Sequence, residues 1–209
     1  MTTRTVLAVG SHPDDIEIGC GGTLAKHVAN GDRVFMLVMT NGHFGPGEVS
    51  KRFEEQREAC RVLGIDPDAQ LFWGQIRDGE VGRHELDVVH IIEGTLGQLK
   101  PEIIYTHASE DSHQDHRAVG LMTLGAARRY STILTYESPS SLHFTPTVFV
   151  DVTSTINKKV AALECHRSQV QASKMVDPQQ MRNLAGYRGV QIRREAAEGF
   201  LPIRALLDI

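Results

Sequence analysis

Apolar residues recur along the chain in two alternating rhythms. Short, nearly continuous apolar runs read as buried strands at Val6–Gly10, Arg33–Thr40, Ala69–Trp73, Ile103–Thr106, Ile133–Glu137 and Val148–Val152. Arg33–Thr40 is apolar at almost every position after the first, the pattern of a strand covered on both faces. Longer segments with helical spacing lie between these runs. Gly21–Asn30 ends in an Asn30-Gly31 stop, and Lys51–Leu63 places Phe53, Cys60 and Leu63 on one side before Gly64. Leu86–Leu99 carries Leu86, Val89, Ile92 and Leu96 along one helix face. His116–Arg129 is apolar enough for a buried helix, and Ser154–His166 reads as a helix capped by Thr153 or Ser154. Repeated βαβ units with right-handed crossovers predict an α/β, Rossmann-like three-layer sandwich with a mostly parallel central sheet. No linker, repeat or low-complexity stretch interrupts the pattern, so residues 1–209 are read as a single domain. The polar stretch Gln169–Tyr187 suggests no element. Gly42–Gly47 and Gln75–Arg83 are the loops expected to rim a pocket.

Composition narrows the function classes. The 209 residues can bury one substantial core. A formal charge of −4 leaves no basic footprint, so no nucleic acid or anionic lipid is expected as partner. No run of about 18 apolar residues is present to span a bilayer, and the N-terminal residues lack a secretory pattern, so no membrane association is expected. The three cysteines, Cys20, Cys60 and Cys165, are widely spaced in apolar settings. They read as small core residues in a reduced compartment, and a cytoplasmic location is expected.

Two histidine–aspartate clusters change the picture. Ser11-His-Pro-Asp-Asp-Ile-Glu17 follows the first strand, and Asp111-Ser-His-Gln-Asp-His116 follows Ile103–Thr106. If those strands are parallel neighbours, both clusters emerge at the C-terminal edge of the sheet, where open α/β sheets place their sites. A hydrolytic zinc site needs about three protein ligands, an open position for water, and a carboxylate off the metal to take the proton from that water. Consecutive side chains in an extended segment point different ways, so His12 and Asp15 can reach one metal while Asp14 faces the water. In the second cluster one of His113 and His116 can ligate while the other faces the substrate. Asp115 is placed to accept a hydrogen bond from one imidazole and favour its protonated form. Either cluster alone reads equally well as a capping turn; the pair, each at a strand end, does not. His27, His43, His84, His90, His107, His143 and His166 have no comparable setting, with His107 and His143 the two placed near the crevice. Gly19-Cys-Gly-Gly22 lacks the spacing of a dinucleotide loop and is read as letting a helix pack closely beneath the site.

These motifs resemble the PIG-L/LmbE-like deacetylases, zinc hydrolases that remove N-acetyl groups from N-acetylglucosamine-containing compounds. His12-Pro-Asp-Asp15 and His113-Gln-Asp-His116 are similar to the two family motifs, with Ser11 where alanine is usual and Gln114 where proline is common. Arg52-Phe-Glu-Glu55 with the following Leu63-Gly64, and Arg77-Asp-Gly79, resemble intervening family segments. His166-Arg-Ser-Gln169 and Ala197-Glu-Gly-Phe200 resemble the endings of the bacillithiol-pathway branch. The resemblance implies zinc, with iron(II) or another divalent metal as alternative, held by His12, Asp15 and His116. It implies Asp14 as general base, and His113 as oxyanion-stabilising or acid group oriented by Asp115. It further implies Arg52 and Asp78 as contacts to sugar hydroxyls, a small-molecule N-acetylated sugar conjugate as substrate, and a homo-oligomer, hexamers included.

The leading expectation is therefore a metal-dependent N-deacetylase. An amidase acting on a larger acyl group of a thiol conjugate or antibiotic intermediate would use the same chemistry. A non-catalytic metal- or sugar-binding relative would not need Asp14, and a nucleotide-binding Rossmann domain would carry the glycine fingerprint that is missing here.

Overall fold

The computed structural model describes residues 3–173 and 175–206. Its elements are β1 (Thr5–Gly10), α1 (Asp15–Ala29), β2 (Arg33–Thr40), α2 (Val49–Leu63), β3 (Leu71–Ile76), a 3-10 turn at Val81–Arg83, α3 (Glu85–Leu99), β4 (Ile103–His107) and α4 (Gln114–Ala126). There follow β5 (Ile133–Tyr136), β6 (Val148–Asp151), α5 (Ile156–Glu164), α6 (Arg167–Ala172), α7 (Pro178–Gln191) and β7 (Ala197–Arg204). The sheet has seven strands in the order β3-β2-β1-β4-β5-β7-β6. Pairings among β1 to β5 are parallel, and β7 runs antiparallel to both β5 and β6. The sheet is thus mostly parallel, as expected. β1 and β4 are neighbours, so both clusters do leave the same edge at the point where strand order reverses.

Alternation along the strands builds the three layers. Val6 and Ala8 of β1 with Val34, Met36 and Val38 of β2 face α1, α2 and α5, burying Leu24, Cys60, Leu63 and Ala162. Leu7, Val9, Phe35, Leu37 and Met39 point to the opposite face and pack on Val88, Ile92 and Leu96 of α3 and Val119 of α4. Successive side chains alternate between faces, so two apolar faces require the near-continuous apolar runs seen in the sequence.

Three differences from the expected elements have clear causes. α1 begins at Asp15 rather than Gly21, and its backbone breaks at Cys20 (φ −145°, ψ 17°). Beyond the break, the N–H groups of Gly22 and Thr23 donate to the Glu198 carboxylate at 2.9 and 2.7 Å, and Lys159 neutralises that carboxylate from α5. The expected cap of α5 shifts to Thr155, whose side chain makes no cap bond and donates instead to the Gly22 carbonyl. The stretch left without an element contains the end of α6 and most of α7, and β7 inserts between β5 and β6. β6 pairs only with Ala197–Phe200, so Pro202 lies where β7 has a partner on one side.

Candidate active site

The β1 exit carries Ser11 to Asp15 straight into α1, and the loop after β4 brings Asp111 to His116 alongside it. Asp15 sits at their junction. Its Oδ2 lies 3.2 Å from His12 Nδ1 and its Oδ1 lies 3.2 Å from His116 Nε2. The outer nitrogen of each imidazole rests on another carboxylate. His12 Nε2 is 3.0 Å from Asp78 and 3.3 Å from Asp115, and His116 Nδ1 is 3.2 Å from Asp111. Histidines that ligate metals are oriented by such outer partners. Three overlapping groups have ligand atoms within 4.8 Å of one another: His12 with His113 and His116, Asp15 with His107 and His116, and His12 with Asp78 and Asp115. Buried imidazole and carboxylate donors of this kind fit a borderline divalent ion.

Charge is concentrated here. Burial opposes ionisation of Asp15, but the facing His116, above all, holds its carboxyl well below the usual range. Asp14 goes the other way: burial, then the charge of Asp15, push it up to about 7, against His166, Arg52 and His12. Burial also opposes protonation of His12 and His116. Asp115, Asp15 and Asp78 nevertheless raise His12 well above its ordinary value, and Asp15 and Asp111 bring His116 to about 9.

His113 differs from expectation. Burial, then the charges of His12 and His116, lower its pKa. The Asp115 carboxylate does not reach it; that carboxylate accepts the N–H groups of Gly79 and Val81 and faces His12. Instead the backbone N–H of Asp115 donates to His113 Nδ1 at 3.2 Å. Nδ1 is therefore the acceptor and Nε2 carries the proton of the neutral ring. Asp115 orients His113 through the main chain and holds the Gly79 loop with its side chain.

A cavity of about 290 Å³ opens onto these groups, with Asp14, Arg52, Asp78 and His113 in its wall. Arg52 is 3% exposed and spends its guanidinium on the carbonyls of Gly42 and Pro13, with Asp14 Oδ2 3.9 Å away. Asp78 accepts the Phe44 N–H at 3.0 Å, which pins the Gly42–Gly47 loop over the site. A larger open groove of about 710 Å³ between α2 and α6 is lined by no imidazole.

Asp111 stands in the second cluster, but its position in the sequence points to no role. Ser138 donates to its carboxylate at 2.6 Å and the His113 N–H at 2.8 Å. His107, at the end of β4, stacks on His116 with centroids 4.1 Å apart and accepts the Ser11 N–H at Nε2. Burial and the His116 charge lower its pKa to about 4, so it stays neutral. His143, the other histidine placed near the crevice, is absent from the cavity wall.

The sequence pattern of PIG-L, described as GlcNAc-PI de-N-acetylase, matches residues 7–127. The chain belongs to the PIG-L family. It is 36% identical over 172 residues to the uncharacterized deacetylase YaiS of Escherichia coli K12, covering 79% of this chain and 91% of that one. It is 28% identical over 229 residues to the diacetylchitobiose deacetylase of Thermococcus kodakarensis, covering 95% and 84%. The solved structure of the conserved protein TT1542 from Thermus thermophilus superposes with a TM-score of 0.88 at 25% identity, over 99% of this chain and 98% of that one. A relative with different chemistry, the 4-oxalmesaconate hydratase of Pseudomonas putida, is 22% identical over 196 residues, 79% of this chain and 74% of that one. PIG-L membership supports the reading of the clusters as an amide-hydrolysing, metal-dependent centre.

Proposed function

We propose that this chain removes the N-acetyl group from an N-acetylglucosamine-containing small molecule with the help of a divalent metal, zinc or iron(II). The observation that carries the reading is the division of labour between adjacent aspartates. Asp15 joins His12 Nδ1 and His116 Nε2, whereas Asp14 lines the cavity beside them with a pKa near 7. His12, Asp15 and His116 would hold the ion, which supplies Lewis acidity and lowers the pKa of water. Asp14, a carboxylate beside the ligands and in the cavity wall, takes the proton from the attacking water. His113 donates its Nε2 proton in a hydrogen bond to the developing oxyanion, with the Asp115 N–H fixing the ring. The proton gained by Asp14 is the one the departing amine needs, so the cycle closes. Arg52 shapes the wall and Asp78 offers its carboxylate edge to sugar hydroxyls. Cytoplasmic location and homo-oligomeric assembly belong to the same reading. Three free cysteines, two of them buried, support the reduced compartment. No helix among the described residues is long and apolar enough to cross a membrane.

The test offers zinc-loaded protein N-acetylglucosamine, diacetylchitobiose and the malate and inositol conjugates, beside Asp14→Asn. Acetate release by wild type, reduced about 10²–10⁴-fold in the variant with metal retained, is the expected outcome. No acetate from any of these by zinc-loaded wild type would contradict the deacetylase reading.

A further inference from the structure

Behind Asp14 lies a buried polar chain that the proposed chemistry does not use. Asp14 is held at φ 105°, ψ −28°, a conformation that side chains other than glycine's rarely adopt. Such a backbone persists only where its surroundings over-determine it. Here α2 grips both ends of one peptide unit. Arg52 Nη2 donates to the Pro13 carbonyl at 2.9 Å, and Gln56 Oε1 accepts the Asp14 N–H at 3.3 Å. Residues four apart on a helix share a face, so the two contacts act as one clamp on the plane of the peptide.

The direction of the Gln56 amide is fixed from the other side. Its Nε2 donates to Glu17 Oε1 at 2.6 Å, so the amide oxygen faces Asp14. His166 Nε2 stands 3.6 Å from Glu17 Oε2, on the far side of that carboxylate. Gln56, Glu17 and His166 are each fully buried. Resting on the deacetylase reading above, we propose that Gln56 is a positioning residue. It holds Asp14 in its strained conformation so that the carboxylate faces the cavity, and the Glu17–His166 pair fixes the orientation of its amide.

Gln56→Met keeps the volume and removes both hydrogen bonds. The expected result is a kcat lowered about 10- to 100-fold, with KM and bound zinc per chain unchanged, as for a misplaced catalytic group. Gln56→Glu sets two carboxylates against each other and is expected to lose more. Adding Glu17→Gln restores one donor and one acceptor at that contact and is expected to recover most of the kcat, which simple core filling would not do. A wild-type kcat in Gln56→Met, or a double variant as impaired as Gln56→Glu while folded and zinc-loaded, would overturn the proposal. If wild type released no acetate, the deacetylase reading would fail first. The crystal structure of Gln56→Met would still decide the clamp: Asp14 relaxed out of the left-handed region supports it, and an unchanged φ refutes it.

Discussion

Asp14 and Asp15 are chemically identical neighbours driven apart by what surrounds them. Asp15 meets two imidazoles and stays ionised, whereas Asp14 meets burial and the charge of Asp15 and is pushed up to about 7. A similar contrast separates His113, lowered, from His116, raised to about 9, because only His116 has carboxylates at both ring nitrogens. His113→Ala should therefore reduce kcat about 10²–10³-fold while zinc content and KM stay near wild type. Undiminished turnover in that variant would remove His113 from the chemistry. The five residues His12, Asp14, Asp15, His113 and His116 were legible because each cluster is contiguous and follows a strand. The roles of Asp111, His107, Gln56 and His166 are not legible in the sequence. Their meaning lies in contacts between separate segments, such as Gln56 on α2 reaching Asp14 and Glu17 at the start of α1.

At the scale of elements, α1 carries the first cluster and depends on close packing beneath it. A Cβ built on Gly19 would lie 2.1 Å from Tyr136 Cδ2, and Tyr136 is fully buried with its hydroxyl donating to the Val9 carbonyl at 2.8 Å. Gly19→Ala should destabilise by about 3 kcal/mol or more through overpacking. That corresponds to a Tm lowered by roughly 6–12 °C in a scanning calorimeter; an unchanged Tm would show that α1 can shift freely. The strands β1, β2, β4 and β5 were legible because burial on both faces leaves an unbroken apolar signature, and the half-buried edge strand β3 through Leu71-Phe-Trp73 alone. α7 and β7 were hidden by polar residues that burial satisfies. In α7 the buried positions are Met181, Ala185, Arg188 and Gly189, and Arg188 is paired with Glu137 at 2.6 Å. In β7 the buried Glu198 and the one-sided Pro202 break the alternation that marks a strand.

The whole molecule links folding, pH and metal. Without a metal, the raised pKa values of His12 and His116 mean that their protonated forms stabilise the fold. That stabilisation is complete below the unfolded value of about 6.5 and is lost as pH rises through about 9 for His116. A metal needs the unprotonated nitrogens, so binding must release protons across the same window. Zinc titrations at pH 7 in two buffers of different ionisation heat should show about one to two protons released per ion. Affinity should tighten toward pH 9, and release of none would mean that the imidazoles are not the ligands. The three-layer architecture was legible from the order of elements, and the reversed strand β7 inserted between β5 and β6 was not. The most direct test of the central claim is the yield of acetate and free amine from diacetylchitobiose by metal-free protein as zinc is added back. Hydrolysis at the proposed centre predicts that both products appear in equal amounts and only as the His12–Asp15–His116 site fills. Equal turnover by metal-free and zinc-loaded protein, or consumption of substrate without acetate, would contradict it.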